Sequence, residues 1–149
     1  MRLWDWALDV YARQDVADAC LHLQDAHGQN VPYLLWAAWA AGEGRQADLK
    51  QAAAVMKAWD KDVGAPLRGV RRALKLARPD VEGEAREDLR DAIKQVELKG
   101  ERVLMESLEA LSGPAGPPVT VLDGLKSAAA ASGDPPRTSA LERLAKALS

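Results

Sequence analysis

Residues Tyr33–Ala41 read YLLWAAWAA, a run with no charged side chain that follows the turn Gly28-Gln29-Asn30-Val31. Pro32 opens it as proline opens a helix, having no N–H to leave unpaired, and Gly42 and Gly44 close it. A helix that is apolar on every face has nothing to present to water, so it must be central and wrapped by others. The uninterrupted apolar stretch, Val31–Ala41, is far short of the roughly 18 residues that a bilayer span needs. The chain itself therefore has to supply the covering.

Amphipathic segments on both sides can do so. On Leu3–Arg13, Leu3, Trp4, Trp6, Ala7, Leu8, Val10 and Tyr11 share one wide arc, and Asp5, Asp9 and Arg13 take the remaining stripe. This helix is expected to be mostly buried. Asp15 is placed to N-cap a second helix, whose inner face is Val16, Cys20, Leu23 and His27 and whose stop is Gly28. From Gln46 to Val63, the apolar positions Leu49, Ala52, Met56, Trp59 and Val63 form a helix-packing seam. Gly64 then reads as a stop, and Pro66 as the start of a fifth helix that ends before Pro79. A sixth and longest helix runs from about Val81 to Leu111, with Gly100 marking a bend or a close approach. No segment carries a useful strand period. The expected fold is all-α, a bundle of about six helices with a C-terminal helical tail.

The tail begins where the composition changes. Ser112-Gly113-Pro114-Ala115-Gly116-Pro117-Pro118 reads as a linker. An Ala-rich helix near Val119–Ala131 follows, then the breaker Gly133-Asp134-Pro135-Pro136, then a helix with Leu141, Leu144 and Leu148 on one face. All seven aromatics (five Trp, two Tyr, no Phe) lie between Trp4 and Trp59, so dense packing is expected there and loose attachment is expected of the tail. The division is a helical core domain over 1–111, a linker over 112–118 and a short helical tail over 119–149. Asp5 and Asp9 interrupt what a signal peptide would need, and a single Cys fits a reducing compartment, so the expected location is cytoplasmic.

Function is harder to read. A net charge of -2 argues against a general nucleic-acid binder. No Gly-rich phosphate loop and no Ser/His/Asp order supports catalysis, so no catalytic residue and no cofactor is assigned. Cys20, His22 and His27 do not make a metal site: Cys20 and His27 share a face, His22 points elsewhere, and zinc wants four ligands, or three with water. Cys20 reads as a buried structural thiol.

Three features remain as binding candidates. The His27-Gly28-Gln29-Asn30 loop offers clustered polar groups at a helix N-terminus, with His27, Gln29 and Asn30 as the residues of interest; each also has a local structural use in ending one helix and starting the next. The indoles, Trp36 foremost, could line a pocket, although at helical spacing they also suit a core. The third is a basic stripe, Arg68, Arg71, Arg72, Lys75 and Arg78, with no acid between Pro66 and Arg78. It could meet phosphate, anionic lipid or an acidic protein face. Equally, the next helix carries ten acids against five bases between Asp80 and Glu109, so a hairpin could cancel the stripe internally. No aromatic residue accompanies the bases as a stacking platform.

The segments Leu3-Trp4-Asp5-Trp6-Ala7, Cys20-Leu21, His27-Gly28-Gln29-Asn30-Val31-Pro32 and Leu34-Leu35-Trp36 resemble an uncharacterised proteobacterial family of short helical proteins labelled a domain of unknown function. The resemblance covers roughly Leu3 to Leu111. It implies a cytoplasmic helical protein and brings no activity, cofactor or catalytic residue with it. The leading expectation is a non-catalytic protein–protein interaction or regulatory module. The alternatives are nucleic-acid or anionic-surface binding through Arg68–Arg78, and a small-ligand binder or enzyme using His27–Asn30.

Overall fold

The computed structural model describes residues 1–149 as eight α-helices: α1 (Leu3–Tyr11), α2 (Gln14–His27), α3 (Val31–Gly42), α4 (Leu49–Trp59), α5 (Ala65–Lys75), α6 (Gly83–Leu111), α7 (Val121–Ser132) and α8 (Thr138–Leu148). The all-α bundle is as expected. At its centre is α3, buried at every position from Val31 to Ala41. Its start is set locally. Gly28 ends α2 at a φ of 62°, where a side chain would be strained, and the Asn30 Oδ1 accepts the Tyr33 N–H at 3.0 Å.

Three local readings need correction, and a fourth is settled between its two alternatives. Asp15 is not the N-cap of α2: the helix begins one residue earlier, and the Asp15 carboxylate accepts the N–H of Val16 instead. In α1 only Leu3, Ala7 and Val10 are buried, while Leu8 and Tyr11 stand exposed, because neighbours cover one stripe rather than the whole apolar arc. Gly64 does not stop the fourth helix. The chain runs from α4 into α5 through a π-helical turn, Asp60–Gly64, closed by the Ala65 N–H donating to the Asp60 carbonyl, and the helix continues past Pro66, which has no N–H to donate. A Cβ at Gly64 would meet the Asp60 Oδ1 at 2.8 Å and push that carboxylate out of its ion pair with Arg68 at 3.0 Å. Gly100 makes the close approach rather than a bend, accepting the Trp59 Nε1–H at its carbonyl at 3.0 Å inside an unbroken α6.

The C-terminal segment is not loosely attached. Leu125, Ala128, Ala129, Ala140, Leu141 and Leu144 are buried and belong to the same core cluster as Trp36 and Leu35. The reason lies in α3, whose apolar circumference exceeds what α1, α2 and α6 cover. α7 lies along it and α8 crosses to α2. Small residues let α7 approach closely, and the buried Tyr33 hydroxyl donates to the Ala128 carbonyl at 2.7 Å. The segment Ser112–Pro118 is pinned as well. The N–H groups of Gly116 and Val119 donate to the carbonyls of Glu43 and Ala41, each at 3.0 Å, and the Trp36 indole N–H donates to the Ser112 Oγ at 2.7 Å.

α5 and the first half of α6 form an antiparallel hairpin that stands out from this body, with no buried residue on α5. The Arg86 Nη1 donates to the Leu74 carbonyl at the end of α5, and the Glu82 carboxylate caps α6 by accepting the N–H groups of Glu84 and Ala85, which holds its pKa down. At the other end of α6, Glu109 accepts the Leu3 N–H at 3.2 Å and pairs with Arg2 at 3.0 Å, so α6 supplies the acceptor that α1 lacks locally. No helix is long and apolar enough to cross a membrane.

Candidate functional site

The hairpin and the body enclose a cleft of about 740 Å³. One wall comes from the body: Gly28, Gln29 and Asn30 of the turn, the start of α3, Ser132 at the end of α7 and Asp134 beyond it. The opposite wall comes from the π turn and the hairpin, with Lys61, Leu67, Arg68, Arg71, Arg72, Lys94, Glu97 and Glu101. Two features far apart in the sequence, the polar turn and the basic stripe, thus face one space. The π turn aims this wall, since an extra residue in the turn rotates α5 relative to α4.

The individual candidates fare differently. Gln29 and Asn30 line the cleft but are also tied down: the Gln29 Nε2 donates to the carbonyls of His27 and Asp134, at 3.0 and 2.8 Å, and Asn30 caps α3. His27 does not line it, and its ring packs edge-on against His22 with centroids 5.1 Å apart. Trp36 is wholly buried and faces Ser112, not the cleft. Within the stripe, Arg71 pairs with Glu97 of α6 at 2.9 Å and Arg68 with Asp60 of the π turn at 3.0 Å. Arg72, Lys75 and Arg78 are exposed and form no ion pair, and of these three only Arg72 lines the cleft. The acids of α6 therefore cancel only Arg71 of the stripe, since Glu87, Asp91 and Glu106 pair with bases on α6 itself and Glu109 with Arg2.

Sequence reading missed several lining residues. Lys57, Lys61, Lys94, Glu97, Glu101 and Trp59 come into the cleft through the π turn and the hairpin's pairing, and no local pattern marks them. Tyr11 reaches it from α1; its ring is part-exposed, and its hydroxyl pKa is raised chiefly by desolvation from the surrounding protein and further by the carboxylates of Glu101 and Asp25. The most perturbed carboxylate is Glu101. Its side chain keeps solvent contact at the mouth, yet the protein mass around it pushes its pKa from an ordinary 4.5 up to about 7, aided by Glu97 and opposed by Arg68 and Arg71. Cys20 is buried away from the cleft, and burial pushes its thiol up to about 12, far from a reactive thiolate.

A sign follows for Glu101. A carboxylate with a raised folded-state pKa favours folding most below its ordinary value, and that contribution is lost as pH climbs through the raised one. Glu101→Gln should therefore gain stability relative to the parent as pH rises from about 4.5 through about 7, with the gain level at higher pH. Urea midpoints of both proteins across that range measure it. A difference that stays flat with pH would mean the carboxyl is not desolvated.

The fold and its cleft define an all-α bundle protein of unknown function. Residues 2–108 match a family described as protein of unknown function, DUF2390, and the chain belongs to that family. The match takes in α1 to α5 and most of α6, including both walls of the hairpin, while α7 and α8 lie beyond it. No curated protein and no solved structure matches the chain.

Proposed function

We propose that this protein is a non-catalytic, cytoplasmic interaction module that takes an acidic segment of a partner protein into the cleft between the polar turn and the α5–α6 hairpin. The observation that carries the reading is that Lys57, Lys61 and Arg72 line that cleft without an ion pair of their own, while Arg68 and Arg71 are already neutralised. Free lysines and arginines beside fixed ion pairs attract an acidic chain and set its register through the places where charge is already satisfied. The start of α3 adds its positive dipole end to the same wall. No nucleophile–base pair faces the space, which favours binding over chemistry.

A second reading rests on Arg72 and Lys75 of α5 and on Arg78, which lies in the loop after α5 rather than on the helix; all three are exposed and unpaired and suit phosphate backbone or an anionic surface. The absence of a stacking aromatic on α5 weighs against single-stranded nucleic acid.

One experiment separates them. A display library of acidic peptides is selected on the full-length chain, and the best peptide and a short DNA duplex are titrated by fluorescence anisotropy. Peptide binding should weaken with salt and fall about tenfold or more in Lys61→Glu/Arg72→Glu, with the duplex inert. A library that yields no binder, or equal affinity in the variant, counts against the cleft. Duplex binding lost in Lys75→Glu/Arg78→Glu would replace it with the second reading.

A further inference from the structure

The side of α6 turned away from the cleft carries a second feature. Ala85, Leu89, Ala92, Val96 and Val103 follow the spacing of a coiled-coil seam, with Lys99 at the one polar position. On α6 this row is rotated by about 100° from the row that meets α5 and by about 140° from the residues facing the cleft. Every member is exposed, Leu89 at 51%, Val96 at 45% and Val103 at 46%. The seam is about 27 Å long. In an antiparallel hairpin, corresponding positions of the two helices share a broad side, which brings the exposed Val70 and Ala73 of α5 alongside. A regularly spaced apolar row on the solvent side of a long helix is a packing surface without its partner.

We infer that this seam pairs with the same seam of a second copy of the chain, antiparallel and two-fold symmetric. The sequence of α6 argues for that occupant. Setting Ala92 against the partner copy's position 96 also sets Ala85 against position 103 and Leu89 against position 99, so every seam position meets another seam position. In that register Asp88 of each copy comes opposite Arg102 and Lys99 of the other, and the Lys99 stem covers Leu89 while its ammonium reaches the acid. The symmetry repeats each ion pair, as an isologous interface must. A parallel pairing would instead turn Asp88 toward position 93 and Arg102 toward position 107 of the other copy, where Ile93 and Ser107 offer no ion pair. Glu82 and Glu106 close the two ends of the seam, each held on its own helix, by the α6 N-terminal amides and by Arg102 at 3.0 Å.

The test is sedimentation equilibrium of the full chain from about 1 to about 200 µM, with circular dichroism to verify folding. The parent should dimerise. Leu89→Glu/Val96→Glu, both at exposed positions, should raise the dissociation constant by roughly a hundredfold or more. Asp88→Lys should raise it by about tenfold, and adding Lys99→Glu and Arg102→Glu should restore it. A parent that stays monomeric at the highest concentration overturns the inference. So does a dimer that is indifferent to Leu89→Glu/Val96→Glu, or a charge swap that weakens it further. The cleft lies on the other side of α6, so peptide binding and dimerisation succeed or fail independently.

Discussion

Gly124→Ala should unfold several degrees below the parent, although alanine is by far the better helix former. In open helix surface the exchange stabilises by about 0.5–1 kcal/mol, because glycine surrenders more backbone freedom on folding. At Gly124 a Cβ would sit 2.6 Å from the Ala41 Cβ and 3.2 Å from the Ala37 carbonyl oxygen, and both belong to the buried face of α3. Neither neighbour is the flexible end of a long side chain. The two helices must move apart, and overpacking of that kind costs about 1–3 kcal/mol. The net loss of about 1–2 kcal/mol corresponds to a midpoint lower by roughly 3–6 °C for a chain of this size. Gly124→Val should lose more, since its branched Cβ has no rotamer that avoids Ala41. Gly69→Ala supplies the opposite sign: nothing lies within 4 Å of that position on α5, so the midpoint should rise. Calorimetry of the three variants decides it. A Gly124→Ala midpoint at or above the parent's would show that α3 and α7 are not in the close contact that the whole bundle depends on.

That contact also marks where the sequence stops being legible. The central position of α3 could be read because an all-round apolar helix admits one environment, and Gly28, Asn30 and Pro32 announce its start by rules that act within a few residues. The role of α7 could not be read the same way. Its core residues are mostly alanines, which contribute packing by closeness rather than by area, and a run such as Ala128-Ala129-Ala130 looks the same in a surface helix. The clue was indirect: α3 has more apolar surface than the first six helices can cover. The π turn was hidden for another reason. Gly64-Ala65-Pro66 has the composition of a stop followed by a start, and only the packing of Trp59 on Gly100 tells a bulged helix from a broken one. The site was legible in parts. The polar turn and the basic stripe were each visible, but their meeting depends on how the π turn directs α5 and on how α5 pairs with α6. Glu101 and Lys61 had no signal of their own.

Removal of residues 112–149 should abolish cooperative folding, which is the largest effect expected of any change to this chain. Leu125, Leu141 and Leu144 are each at most 2% exposed, and burying a leucine contributes about 1.5–3 kcal/mol. Together they amount to roughly 5–9 kcal/mol, against a total stability of about 7–20 kcal/mol for a chain of this length. The truncation also uncovers the other side of each contact. Ala37 and Ala41 lose α7, Val16, Ala19 and Leu23 lie on the helix that loses α8, and the Tyr33 hydroxyl and the Trp36 indole N–H lose their acceptors at Ala128 and Ser112. Two buried donors without partners cost about 1–3 kcal/mol apiece. The terms are comparable with the whole margin, so residues 1–111 should retain helical circular dichroism, bind a hydrophobic dye and melt without a sharp transition. Adding residues 112–149 as a separate peptide should recover part of the transition, because the helices of the tail dock on surfaces that the shortened chain still makes. Cooperative melting of 1–111 alone, within a few degrees of the full chain, would mean that α3 finds its covering elsewhere.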